Sequence, residues 1–201
     1  LEKKQDKVLV VEPRKKVLNH TEVKVEQKDI HVRVIFDYPT IEGMIYKDTK
    51  IKVSESDFNN LISQLNGNWV GYRSGNPTSE YGELSYAINL QEIDINSIYT
   101  ILNQDAYYFA YRVPHVLEFA YQGISYIMIN NHFKCCGDDY LDLNNTSDEE
   151  YRRLIASQLL QEYIDENLGS ERVIVLGDLN DSLTDDESNN VFWGFLNSDN
   201  F

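Results

Sequence analysis

The chain has 201 residues, 42% of them hydrophobic and 12% aromatic, with a formal net charge of -15. That is apolar material for one sizeable core, or one domain with a small appendage. The acidic balance disfavours a protein held to nucleic acid by a broad basic face, and the long apolar run Ile124 to Ile129 falls well short of a membrane span.

The sequence begins at Leu1 with the charged "LEKKQDK", without an initiator Met or signal peptide, and reads as a soluble mature product or a fragment. Its localisation stays open, secreted and bacterial periplasmic settings included. Residues 1–55 carry short alternating runs, "KVLVVE", "TEVKV" and "HVRVIF", which predict strands. "SESDFNNLISQL" sets Phe58, Leu61, Ile62 and Leu65 at helical spacing behind serine caps, and "NGN" closes that helix. "GELSYAIN" alternates as a half-exposed strand does. "YYFAY" and "VLEFAY" suggest a hairpin joined by the "RVPH" turn, and "ISYIMINN" is a nearly continuous apolar strand.

An acidic loop, "CCGDDYLDLNN", follows, with adjacent cysteines read as free thiols because a bridge between neighbours fits disulfide geometry badly. A zinc site built on these and His132 lacks a fourth ligand nearby. Ser147 and Glu150 form a capping-box pattern, and Leu154, Ile155, Leu159, Tyr163 and Ile164 predict the core stripe of a long helix ending at Leu168-Gly169. "RVIVL" predicts a short buried strand. "DDESNNVFWGFL" predicts another helix, with Asp185, Asp186 and Glu187 favouring its N-terminus. Strand, helix and buried strand in succession imply α/β architecture or a sheet sandwich flanked by helices.

Two predicted strands end in polar residues, "INNH" and "VLGDLN". A rigid strand aims such side chains while the following loop admits a ligand. Each motif has a bland alternative, since Asp and Asn stabilise turns and a lone His is usually a satisfied hydrogen-bonding residue. Glu83 would suit a strand surface, Tyr81 packing, Arg112 a turn, and Arg152 and Arg153 a solvated or sheet-anchoring helix face.

In order, "YGELSYAIN", "YRVPHVLEFAYQGISYIMINNHFK", "EEYRRLIASQLLQEYI" and "VIVLGDLND" resemble the endonuclease/exonuclease/phosphatase superfamily, the metal-dependent phosphoesterases that include the pancreatic-type deoxyribonucleases. The resemblance covers residues 56–201. It implies a layered β-sandwich flanked by helices, deoxyribonuclease I-like and partial, after an atypical β-rich segment over 1–55. It also implies a phosphodiester substrate, DNA or RNA among the candidates, and Mg²⁺, or Mn²⁺ or Ca²⁺, as cofactor. His132 matches the family's general acid or phosphate contact, and Glu83 the carboxylate that holds that histidine charged. Tyr81 and Arg112 match residues near the scissile phosphate. Asp178 and Asn180 match the pair that orients the attacking water beside the metal, and the resemblance implies them as ligands to it, with the principal Glu ligand not identified.

The chain departs from the family in two places. Lys52 stands where the principal metal-binding Glu is expected, with Glu42 and Glu55 as unselected substitutes, and Asp37 stands for an opening Asn. An ammonium at a metal position repels the cation that a carboxylate would recruit. The sequence also stops at Phe201, before the family's closing Asp-His strand, so the expectation is either a fragment or a degenerate non-catalytic binding module.

Overall fold

A computed structural model describes residues 32–35, the first four by backbone alone, then 55–75 and 84–198. Seven strands and three helices follow in order: β1 (Val32–Ile35), α1 (Glu55–Gln64), β2 (Trp69–Arg73), β3 (Ser85–Asn89), β4 (Ile93–Thr100), β5 (His115–Tyr121), β6 (Ile124–His132), α2 (Glu149–Asn167), β7 (Val173–Asp178) and α3 (Trp193–Leu196). They form a three-stranded sheet in the order β1-β3-β2 and a four-stranded sheet in the order β4-β5-β6-β7.

Between the sheets lies one apolar cluster, built from Tyr86 and Ile88 of β3 against Leu117, Phe119 and Met128 of β5 and β6. A second cluster fills the other face of the four-stranded sheet, where Ile127, Ile129 and Val175 meet Ala156, Leu160 and Ile164 of α2. On the three-stranded sheet, α1 seats Phe58 and Ile62 so closely on β2 that a Cβ at Gly71 would overlap both side chains. The architecture is therefore α/β: two sheets face to face, with helices outside.

Local sequence explains the joints. Gln122 and Gly123 both take left-handed conformations between the paired residues Tyr121 and Ile124, a two-residue turn whose twist suits antiparallel strands. The pairing of β6 with β7 is parallel, so the chain needs a crossover, and the 19-residue α2 supplies it. Asp148 caps α2, its side chain accepting a hydrogen bond from Tyr151 N at 2.9 Å.

Several sequence expectations are corrected. Residues 107–111 form turns rather than a hairpin strand, because Ala110 and Tyr111 take left-handed backbone while Phe109 enters the core. The hairpin partners are β5 and β6 instead. Asp148, not Ser147, caps α2, and Glu150 turns away to pair with Arg153. The buried stripe of α2 runs through Arg153, Ala156, Leu160 and Ile164, rotated from the predicted one so that two arginines are buried. Asp185 to Glu187 lie in turns six or more residues before α3 and do not cap it. Strand β3 is buried on both faces rather than half-exposed, and β2 and β4 arise where no strand was expected. Apart from the β1 backbone, the strands predicted over 1–55 lie outside the described residues.

Candidate active site

The parallel register of β6 on β7 is fixed at a single close approach. Gly177, at φ 134°, lies against Asn131, and a Cβ there would overlap the Asn131 carbonyl oxygen. One position on, His132 is directly paired with Asp178. His132 Nε2 stands 3.9 Å from Asp178 Oδ2, so the two strand ends meet at one rim of the sandwich.

The loops beyond the strands complete the rim through one carbonyl. Phe133 O accepts from Asn180 Nδ2 at 3.0 Å and from Arg112 Nη2 at 3.4 Å, while Phe133 N donates to Asp178 O at 2.9 Å. Asn180 sits in left-handed backbone and its amide donates to Asp178 Oδ1 at 3.2 Å, a two-residue Asx turn. Arg112 is 8% exposed and follows the consecutive left-handed residues Ala110 and Tyr111, which turn the chain sharply before β5. The structure thus brings four predicted site residues together: Arg112, His132, Asp178 and Asn180. Tyr81 and Glu83 lie outside the described residues, as do Asp37, Glu42 and Lys52; Glu55 is exposed at the start of α1.

Electrostatically, the rim is a largely buried place, with Arg112 as the cation among its described residues. Burial and then the Arg112 charge push the His132 pKa from its ordinary 6.5 down to about 3. The neighbouring carboxylate would act the other way, but at 3.9 Å it is too distant for a direct hydrogen bond and is outweighed. Asp178 is shifted up, because its burial outweighs the Asn180 amide and Arg112. At neutral pH the described surroundings therefore favour the neutral imidazole, and the expected pairing with Glu83 lies outside the described residues.

Two rim residues went unnoticed in the sequence. His115 and Asn130, paired across β5 and β6, are 2% and 1% exposed. The Tyr86 hydroxyl is spliced between them, accepting from Asn130 N at 3.1 Å and facing His115 O at 2.7 Å. Burial lowers the His115 pKa to about 4. A cleft of about 640 Å³ opens beside His115, lined also by Tyr72, Arg73 and Thr100. Their only sequence signal is a polar residue inside an apolar strand.

The rim's donor set does not fit a hard divalent cation unaided. Among the described residues Asp178 is its single carboxylate, Arg112 stands close enough to act on it, and Asn180, with its Nδ2 on Phe133 O, adds only one neutral carbonyl oxygen. No described group of His and Cys side chains gathers around His132 either, and both cysteines are free and exposed.

No family model matches the chain, and no curated protein does. The human Nocturnin catalytic domain, solved with bound sulfate anion, matches with a TM-score of 0.50 at 17% identity, over 71% of this chain and 51% of that one. Over the matched part the chain shares that domain's fold, a two-layered sandwich flanked by helices. D. rerio TDP2 complexed with single strand DNA product gives a TM-score of 0.48 at 12% identity, covering 64% of this chain and 45% of that one. TDP2 from C. elegans gives 0.43 at 19% identity, covering 64% and 36%. The chain thus spans about half the length, or less, of these superfamily structures.

Proposed function

We propose that the chain carries the phosphate-handling part of a phosphodiester hydrolase, a nuclease or phosphodiesterase of this superfamily. The observation that carries the reading is the pairing of His132 with Asp178 at one rim, with Arg112 and Asn180 held to the same Phe133 carbonyl.

Hydrolysis needs positive charge against the phosphate and a positioned water. In this reading Arg112 meets a phosphate oxygen, and Asn180 holds its place through the Asx turn. Asp178, its proton affinity raised by burial, takes a proton from the attacking water. His132 contributes a ring N–H to the phosphate or leaving oxygen. Its passage to imidazolium awaits a second negative charge, from the substrate or from Glu83. Metal dependence also belongs to this proposal and rests on the resemblance. A hard divalent cation, if bound, would neutralise phosphate charge and polarise water, and Asp178 is the described rim carboxylate that would help to hold it.

A second reading, a non-catalytic phosphate-binding module of the same fold, is favoured by the single described carboxylate at the rim and by Lys52 in the family's metal position. Titrating Mg²⁺ or Mn²⁺ against the purified chain with plasmid DNA and an aryl phosphodiester separates the two. The hydrolase reading expects turnover that falls at least about a hundredfold in Asp178→Asn. Phosphate-dependent thermal stabilisation without turnover supports the module, and neither effect overturns both.

A further inference from the structure

The loop joining β6 to α2 is strongly acidic, with Asp138, Asp139, Asp142 and Asp148 leading into Glu149 and Glu150. Three of these, Asp138, Asp148 and Glu150, come from both ends of the loop and offer carboxylate oxygens within 4.8 Å of one another. Part of each is accounted for. Asp148 Oδ2 caps α2, Asp138 Oδ1 accepts from Tyr140 N at 3.2 Å, and Glu150 Oε1 accepts from Asp139 N at 3.0 Å and pairs with Arg153 at 2.8 Å.

The second oxygen of Glu150 is different. Glu150 is 1% exposed, and its Oε2 is buried without any hydrogen-bond donor. The backbone at Gly137 closes directly over this carboxylate, leaving no room for a Cβ. A desolvated carboxylate oxygen without a donor is costly unless a cation faces it. Nearby cations are already engaged: Arg153 is shared with Asp181 at 2.6 Å, and Lys134 pairs with Glu149 at 3.2 Å. The one guanidinium of Arg153 thus serves two carboxylates, Glu150 and Asp181, and Asp138 and Asp148 add two more beside Glu150.

We propose that Asp138, Asp148 and Glu150 form a structural Ca²⁺ site, separate from the His132–Asp178 rim. Calcium suits it better than magnesium, because a loop-borne set of carboxylates open to water on the Asp138 side meets a loose, many-oxygen coordination rather than a strict octahedron. The ion ties the acidic loop to the first turn of α2. Arg153 carries the effect onward, since its Nη1 bonds both Lys134 O and Cys136 O at 2.8 Å, just beyond His132.

The test uses the EDTA-treated full chain, melted with and without Ca²⁺ and titrated with Tb³⁺, whose emission is excited through tyrosine. The wild type gains about 5 °C in millimolar Ca²⁺ and lights Tb³⁺ saturably. Asp138→Asn loses both effects, as does Asp148→Asn, in which Asn still caps the helix. Asp178→Asn keeps both. Absence of the effects in the wild type overturns the site, as does their loss in Asp178→Asn with retention in Asp138→Asn. The proposal is independent of the hydrolase reading, since turnover plays no part in it.

Discussion

At the scale of single residues, two imidazoles held neutral by burial make stability depend on acid. The folded pKa values of His132 and His115, about 3 and about 4, lie below the ordinary 6.5. The unfolded chain therefore binds protons that the folded one refuses, and stability falls as pH drops from 6.5 towards 4. Asp178 has the opposite sign, since its raised pKa lets the folded state hold a proton longer as pH falls. The unfolding free energy of His132→Asn, measured by denaturant between pH 4.5 and 6, should lose about one proton's worth of slope, roughly 1.4 kcal/mol per pH unit. An unchanged slope would mean that His132 is already protonated in the fold. Gly177 supplies a second prediction at this scale. Gly177→Ala must push a methyl into the Asn131 carbonyl at positive φ, and should lower stability by about 3 kcal/mol while weakening turnover by displacing Asp178 from His132.

Among elements, α2 does more than connect parallel strands. Leu160 and Ile164 join the core under the four-stranded sheet, while Arg153 on the same helix reaches the loops past both β6 and β7. It bonds Asp181 after β7 and two carbonyls after β6, so one helical side chain fixes the spacing of two strand exits. Arg152 plays a smaller part, lying over the Tyr107 ring with its carbon 4.1 Å from the centroid. Replacing Arg153 by Met keeps the volume but leaves Glu150 and Asp181 buried without their shared cation. The expected cost is about 3–5 kcal/mol, read by urea melts, against less than about 1 kcal/mol for Arg152→Lys. Comparable losses for the two variants would refute the anchoring role.

For the whole molecule, the net charge of -15 limits how a polyanion can be held. With Arg112 as the one described cation aimed into the rim, about one phosphate contact is salt-sensitive. On the hydrolase reading, raising NaCl from about 50 to 200 mM should then slow plasmid cleavage only about three- to fourfold, with an aryl phosphodiester affected less. A loss of a hundredfold or more would reveal a basic track outside the described residues. The sandwich also explains why the rim is dry enough to shift these pKa values: Tyr86 crosses from one sheet into the ladder of the other, beside His115 and Asn130.

Periodicity by itself gave away α1, β6, α2 and β7, because amphipathic spacing and an unbroken apolar run are local properties. The same holds for the Gly-Asp-x-Asn turn after β7 and for a polar stop at His132. It misplaced the strand before β5, since Tyr107 to Tyr111 have strand-like composition while the left-handed turn at Ala110 and Tyr111 depends on packing Phe109 into the core. It left Arg153 between a solvated and a sheet-anchoring helix face, because only the fold gathers the carboxylates and carbonyls of three separate segments around a buried guanidinium. Above all, Asp178 lies 46 positions after His132, and only β-pairing makes them neighbours. Composition and spacing fix which chemistry is on offer; convergence is a long-range contact, and only the folded sheet, locked in register at Gly177, decides it.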